Sequence, residues 1–170
     1  MNKPNIPAGH NTVNSFIITK DAPKLIRFLE KVFNAKEDPA AHTLDTDGLL
    51  LHSELAIGDS IVMVADTKPG WPFTPSLLRV YVYDVDETLK RAKELGAKIV
   101  TEPTDFYGDV FSRFVDPWNN LWWVFKHNPQ PGGTADWEGA GEEVAASWEP
   151  SKEMKYIHDT LLKAMEHLGK

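Results

Sequence analysis

The sequence of 170 residues contains no cysteine. This absence excludes a disulfide scaffold, a thiolate zinc site, an iron–sulfur cluster and a cysteine nucleophile. The chain also lacks a basic run and has a formal net charge of −7, so nucleic acid is not expected as a partner. No apolar stretch approaches the ~20 residues that a membrane-spanning helix needs. The first ten residues are polar, without a segment of the signal-peptide type, so we expect a cytoplasmic protein that does not bind membranes.

The residues that are present are typical of a globular protein, with 42% apolar and 25% charged side chains. The charge is uneven, because residues 128–150 carry five acidic side chains, several Pro and Gly, and no Lys or Arg. This composition predicts a linker between a body over 1–127 and a tail. In the tail, apolar residues recur every three or four positions and predict an amphipathic helix over 151–170. The apolar stripe of this helix needs a partner surface, which is either the body or a second subunit.

The body shows short β-rich segments that alternate with two helical patterns. Asp21 opens the first helix, and the second helix is capped by Asp84 or Asp86. The Gly58-Asp59 pair predicts a tight turn between two strands. The predicted strands span 13–19, 48–57, 60–65, 77–83, 98–101, 110–115 and 121–127.

The two halves of the body repeat the same pattern. The helix ends Asn34-Ala35-Lys36 and Gly96-Ala97-Lys98 correspond, which favours duplication of a whole strand–helix–strands unit. The predicted fold class is therefore α+β, with paired βαβββ modules over about 12–66 and 77–127 that form a half-open barrel, plus the C-terminal helix. The concave face of such a barrel is a natural pocket.

Three segments resemble the glyoxalase / bleomycin-resistance / extradiol-dioxygenase superfamily, also called the vicinal oxygen chelate superfamily. They are HSELAIGDSIVMVAD (52–66), VYVYDVDETLKRAKELGAKIV (80–100) and FYGDVFSRFVDPWNNLWWVF (106–125). The patterns H-x-E-L-x-I-G-D-S and Y-G-D…D-P look most like its PhnB-like branch. The superfamily includes lyases, isomerases, dioxygenases, thiol transferases and drug-binding proteins without catalysis. The resemblance therefore implies the fold and a homodimer, but it does not fix the activity.

The resemblance also implies a divalent metal that His and Glu side chains from four strands would hold. The corresponding positions here are Asn14, a residue within 61–65, Leu77 or Leu78, and Trp123. None of them supplies an imidazole or a carboxylate, which are the usual ligands of such ions. We therefore expect no cofactor and no metal at the usual site.

Strand alternation predicts which side chains face the pocket. Arg79 is a candidate for binding an acidic group or an ordinary salt-bridge partner. His52 and Glu54 share one strand face. They are candidates for a catalytic base with its orienting group, or for a relocated metal site. The alternative is that they belong to a solvated strand face without a function. The predicted ligand-binding residues are Asn14, Phe16, His52, Glu54, Arg79, Tyr81, Tyr83, Arg113 and Trp123.

These features predict a protein that binds a small apolar or aromatic molecule in its concave cavity without the usual metal. Two alternatives stay open: a metal-dependent lyase or dioxygenase with a relocated site around His52 and Glu54, and a protein-interaction scaffold. The aromatic loop over 68–75, with Trp71 and Phe73, is consistent with packing, a lid or a dimer contact.

Overall fold

The computed structural model describes residues 6–7, 9–129 and 149–170, and it confirms the α+β class. Within these ranges none of the helices has the length and apolarity needed to cross a membrane. The sequence prediction missed two strands of two residues each, Lys36–Glu37 and Thr43–Leu44. In chain order the elements are β1 (Ser15–Thr19), α1 (Ala22–Phe33), β2 (Lys36–Glu37), β3 (Thr43–Leu44), β4 (Leu50–Ile57), β5 (Ser60–Asp66), β6 (Leu77–Tyr81), α2 (Val85–Glu94), β7 (Lys98–Phe106), β8 (Asp109–Val115), β9 (Leu121–Lys126) and α3 (Lys152–His167).

The strands form two sheets with the same connectivity. The first sheet has the order β1-β5-β4-β2, with β3 also paired to β4, and the second has the order β6-β9-β8-β7. In each sheet the strand before the helix is parallel to the last strand of its module, and the other pairings are antiparallel. The two modules are thus structural repeats. Their first strands, β1 and β6, each lie at the edge of a sheet, and in the described residues the sheets do not close into a barrel.

Two aspartates position the starts of the helices. The buried Asp66 carboxylate accepts hydrogen bonds from Ala22 N and Leu50 N, both at 2.8 Å, and so fixes the start of α1 against β4 and β5. An acidic group at a helix N-terminus is also favoured by the helix dipole. Asp84 is the predicted cap of α2, since its side chain accepts from Glu87 N at 2.9 Å.

One apolar core joins the two modules. Phe33 of α1 lies 4.8 Å from Trp122 and 6.1 Å from Phe114, measured between ring centroids, and both of these partners belong to the second sheet. Phe28 of α1 contacts Trp118 in the β8–β9 turn at 5.7 Å. The helix of the first module is therefore packed on the second sheet, and this contact sets how the modules lie relative to each other.

Asp116 organises the predicted turn between β8 and β9. Its buried carboxylate accepts hydrogen bonds from the backbone N–H groups of Trp118 and Asn120, from the Asn120 amide and from the Trp122 indole. Burial raises the pKa of the Asp116 carboxyl above its usual value, although these four hydrogen bonds act in the opposite direction.

The buried face of β4 differs from the alternation that the sequence predicts. Strict alternation along this strand predicts that Leu51 shares the buried face of Leu55, but the Leu51 side chain is half-exposed while Leu50 is buried. The cause is a bulge, since Thr43 and Leu44 of β3 pair with His52 and Leu50 and leave Leu51 without a partner. The predicted burial of Leu55 is confirmed.

The C-terminal helix packs on the body of its own chain. Ser151 caps α3, and Ile157 is buried against Phe111 and Phe125 of the second sheet. Tyr156 Oη accepts from Glu102 N at 3.0 Å. The predicted linker over 128–150 lies mostly outside the described residues.

The middle of α3 contacts the second module, and the segment just after its end contacts the loop between the modules. The hydroxyls of Thr160, in the middle of α3, and Thr101 are 2.8 Å apart. Beyond its end, Gly169 (φ +79°) lies against the Phe73 ring so closely that an added Cβ would overlap the ring. Phe73, for which packing was one of the predicted roles, thus supports the end of the helix.

We expect Ile157→Ala to release α3, because truncation of a buried isoleucine lowers stability by about 2–5 kcal/mol. The measurement is hydrogen exchange of the α3 amides together with thermal unfolding. Leu162→Ala is the matched control, since Leu162 lies on the same helix and is 52% exposed. Equal effects of the two substitutions would contradict the packing described for α3.

Candidate functional site

A cleft of about 810 Å³ lies between the two modules. The chain around β1 lines one side and β6 with the start of α2 lines the other. The bottom includes Phe33 and Trp122, the same rings that join the modules. Four of the predicted ligand-binding residues line the cleft: Asn14, Arg79, Tyr81 and Tyr83.

Arg79 and Tyr81 give the β6 side of the cleft a cationic and aromatic surface. The Arg79 guanidinium lies 4.1 Å above the Phe125 ring centroid and 5.7 Å from that of Tyr81. Both side chains are exposed, and Tyr83 is 99% exposed. Cation–π contact holds the Arg79 side chain over the rings and leaves its N–H donors available to a ligand.

A second group of predicted residues lies on the first sheet, away from the lining of the cleft. His52 Nε2 is 3.2 Å from Glu54 Oε1, and the His52 ring is 6.1 Å from that of Phe16. The structure adds a residue that is not among the predicted site residues, since His10 Nε2 lies 3.3 Å from Glu54 Oε2. One carboxylate therefore contacts two imidazoles. No sequence spacing indicates this, because only the fold brings the N-terminal segment to β4.

The last two predicted residues lie on the face of the second sheet that α3 partly covers. Arg113 is 4% exposed, and its Nη1 donates to the Ile157 carbonyl at 2.7 Å and to the Thr101 hydroxyl at 3.3 Å. Its guanidinium lies 5.2 Å from the Trp123 ring centroid. Burial lowers the pKa of Arg113 to about 10. Its buried Nε has no hydrogen-bond partner among the described residues.

The positions that correspond to the family's metal ligands do not fit a divalent cation. Asn14 hydrogen-bonds Asn11 through both ends of its amide, and Leu77, Leu78 and Trp123 present hydrocarbon or an indole. Within the ranges that the structure describes, no three His, Asp or Glu side chains are grouped so that they could hold a metal ion.

Comparison with known proteins identifies the family. The model of the Glyoxalase/Bleomycin resistance protein/Dioxygenase superfamily matches residues 9–124, and the chain belongs to this superfamily. An uncharacterized protein of Mycobacterium bovis is 32% identical over 118 residues, which cover 62% of this chain and 76% of that protein. An uncharacterized protein of Mycobacterium tuberculosis shows the same identity over 68% of its length.

Solved structures have the same fold. TioX from Micromonospora sp. ML1 aligns with a TM-score of 0.54 and 26% identity, over 68% of this chain and 99% of TioX. The fosfomycin resistance protein FosX from Mesorhizobium loti aligns with a TM-score of 0.51 and 19% identity, over 69% of this chain and 92% of FosX. The matched part corresponds to the two modules, whereas α3 lies beyond the family match.

Proposed function

We propose that this protein binds a small apolar or aromatic molecule in the cleft between its modules. The observation that carries the proposal is the cleft itself, whose 810 Å³ is within the ~300–1,000 Å³ typical of small-molecule sites. Tyr81, Tyr83 and the Phe33–Trp122 pair supply aromatic surface, and Arg79 supplies one polar anchor. The lining also includes polar side chains such as Asn14, Lys36 and Glu87, so the cleft combines stacking surface with hydrogen-bonding groups.

We further propose that binding needs no resident metal. The reason is the chemistry of the donors at the family's ligand positions, where carbon and an amide replace imidazole and carboxylate. The FosX structure from Listeria monocytogenes, by contrast, contains Mn(II) and sulfate. The PhnB-like branch and the cytoplasmic location stay predictions.

An enzyme is the second candidate, and the contacts of Glu54 favour it. The carboxylate lies between His10 and His52, and all three side chains are partly shielded from solvent. A carboxylate that orients an imidazole is the arrangement of a general base. His52 and Glu54 are the two groups that a relocated metal ion would use in a lyase or dioxygenase.

The partner that we propose is a second copy of this chain. Both β1 and β6 lie at sheet edges, and large apolar side chains on or beside them are exposed. Unpaired edges with exposed apolar residues are surfaces that proteins normally cover. The α3 stripe no longer supports this proposal, because α3 packs within its own chain. The edge residues concerned are Val13, Phe16, Leu77 and Tyr81.

The binding proposal predicts that a thermal-shift screen of small aromatic compounds finds ligands. We expect Tyr81→Ala and Arg79→Ala to weaken them by about tenfold, which corresponds to loss of one aromatic or charged contact. Tyr107→Ala is the control, since Tyr107 is 69% exposed in the β7–β8 turn away from the cleft. If neither cleft substitution alters any ligand, the cleft is not the site.

The metal proposal predicts that the protein, purified and then dialysed without chelator, holds no stoichiometric divalent cation by elemental analysis. Titration with Mn²⁺ and Zn²⁺ is expected to give no saturable heat at micromolar concentrations. A stoichiometric ion that His52→Ala removes, while the exposed-surface variant His158→Ala keeps it, would establish the enzyme candidate instead.

The dimer proposal predicts a solution mass of twice 19.1 kDa by light scattering. We expect Val13→Asp and Leu77→Asp to reduce it to that of the monomer, because each places a charge on an exposed apolar edge. Leu44→Asp is the matched control, since Leu44 is 58% exposed on β3 at another position of the first sheet. A wild-type monomer would contradict the proposal.

A further inference from the structure

The second sheet presents two arginines on one aromatic face. Arg79, Trp123 and Arg113 are direct neighbours across β6, β9 and β8, so they form one row on one side of the sheet. The next row, two residues along, consists of Tyr81, Phe125 and Phe111. Each guanidinium lies over rings of this face, Arg79 over Phe125 at 4.1 Å and Arg113 over Phe111 at 4.6 Å.

Neither arginine has a counter-ion among the described residues. Arg113 is buried with only two neutral oxygens as acceptors, and its Nε donates to nothing. Arg91 shows the usual alternative, because its Nε pairs with Glu87 at 2.9 Å. A buried charge without a counter-ion is unfavourable. The chain has seven more acidic than basic residues, yet none of the described carboxylates pairs with Arg113. The unpaired pair is therefore a feature that a ligand's anionic group would complete.

The two halves of this face differ in access. α3 covers the half with Arg113 and Phe111, where the Ile157 carbonyl contacts the guanidinium. The half with Arg79 and Tyr81 stays exposed and also lines the cleft. A flat molecule that enters from the cleft therefore meets Arg79 and Tyr81 first and the partly exposed Trp123 beyond them, whereas Phe125 is buried beneath Arg79.

We propose that this row binds a planar aromatic acid, whose carboxylate takes the arginines as counter-ions and whose rings stack on Tyr81 and the partly exposed Trp123. Arg79 makes the direct contact, and Arg113 contributes its uncompensated charge from beneath α3, where low dielectric strengthens the attraction. The inference rests on the proposed binding function and adds the charge of the ligand to it.

The test compares 2-naphthoate with 2-naphthamide, two probes of equal shape of which only the first is charged. Binding to the full chain is followed by quenching of tryptophan fluorescence and by calorimetry. We expect naphthoate to bind at least about tenfold more tightly, the size of one charge-assisted hydrogen bond, and to weaken as salt rises. In Arg79→Gln the preference for naphthoate is expected to disappear, whereas the exposed control Arg27→Gln on α1 keeps it.

Arg113→Gln tests the buried half. It is expected to reduce the preference for naphthoate without abolishing binding of naphthamide. Because this buried substitution can impair folding, Arg79→Gln, which changes an exposed side chain, decides the test by itself once circular dichroism shows a folded protein.

Three outcomes overturn the inference and are distinguishable from failure of the proposed function. If both probes bind equally, or if the preference persists in Arg79→Gln, the cleft still binds small molecules and only the anionic class is wrong. If neither probe binds, the inference is wrong, and the thermal-shift screen then decides the binding function separately.

Discussion

The packing of α1 on the second sheet is the contact on which the rest of the structure depends. Phe33 belongs to the first module by sequence, yet its ring lies against Trp122 and Phe114 of the second. Aromatic rings bury large areas and have preferred geometries, so this contact fixes orientation as well as distance. It thereby determines how far apart the free edges of β1 and β6 lie, and hence the size of the cleft between them.

The buried charged side chains of this protein differ in whether the chain itself supplies their hydrogen-bond partners. Asp66 and Asp116 are surrounded by N–H donors that satisfy their carboxylates, and they hold a helix start and a tight turn. Their roles are structural and complete within the chain. Arg113 is also buried, but its guanidinium donates hydrogen bonds only to two neutral oxygens. Among the described residues its Nε has no hydrogen-bond partner and no carboxylate pairs with it. The buried carboxylates are thus compensated within the chain, whereas the buried guanidinium has no counter-ion among the described residues.

The C-terminal helix makes the two modules of the duplicated fold unlike each other. The family match covers only the two modules, and α3 adds a wall across part of the second sheet. It removes Arg113 and Phe111 from solvent and leaves Arg79 and Tyr81 exposed. A symmetrical pair of modules thus acquires two unlike faces, one with the His10–Glu54–His52 group and one with arginines and rings.

The sequence alone determined the duplicated α+β fold, the cap of α2, the tail helix and the residue types that could line a pocket, because periodicity, capping and turn chemistry are local properties. The Asp21 side chain, by contrast, makes no cap hydrogen bond, and the start of α1 is bound by Asp66 of β5. It could not show that Leu51 falls in a bulge, since that depends on pairing with β3. It also left open where α3 packs. Only the tertiary structure shows that the predicted site residues lie in three separate places. These are the cleft lined by Arg79, the His52–Glu54 group, and Arg113 beneath α3. The physical reason is that contacts such as His10 with Glu54 or Arg113 with Ile157 join residues about 44 positions apart, which no local pattern encodes.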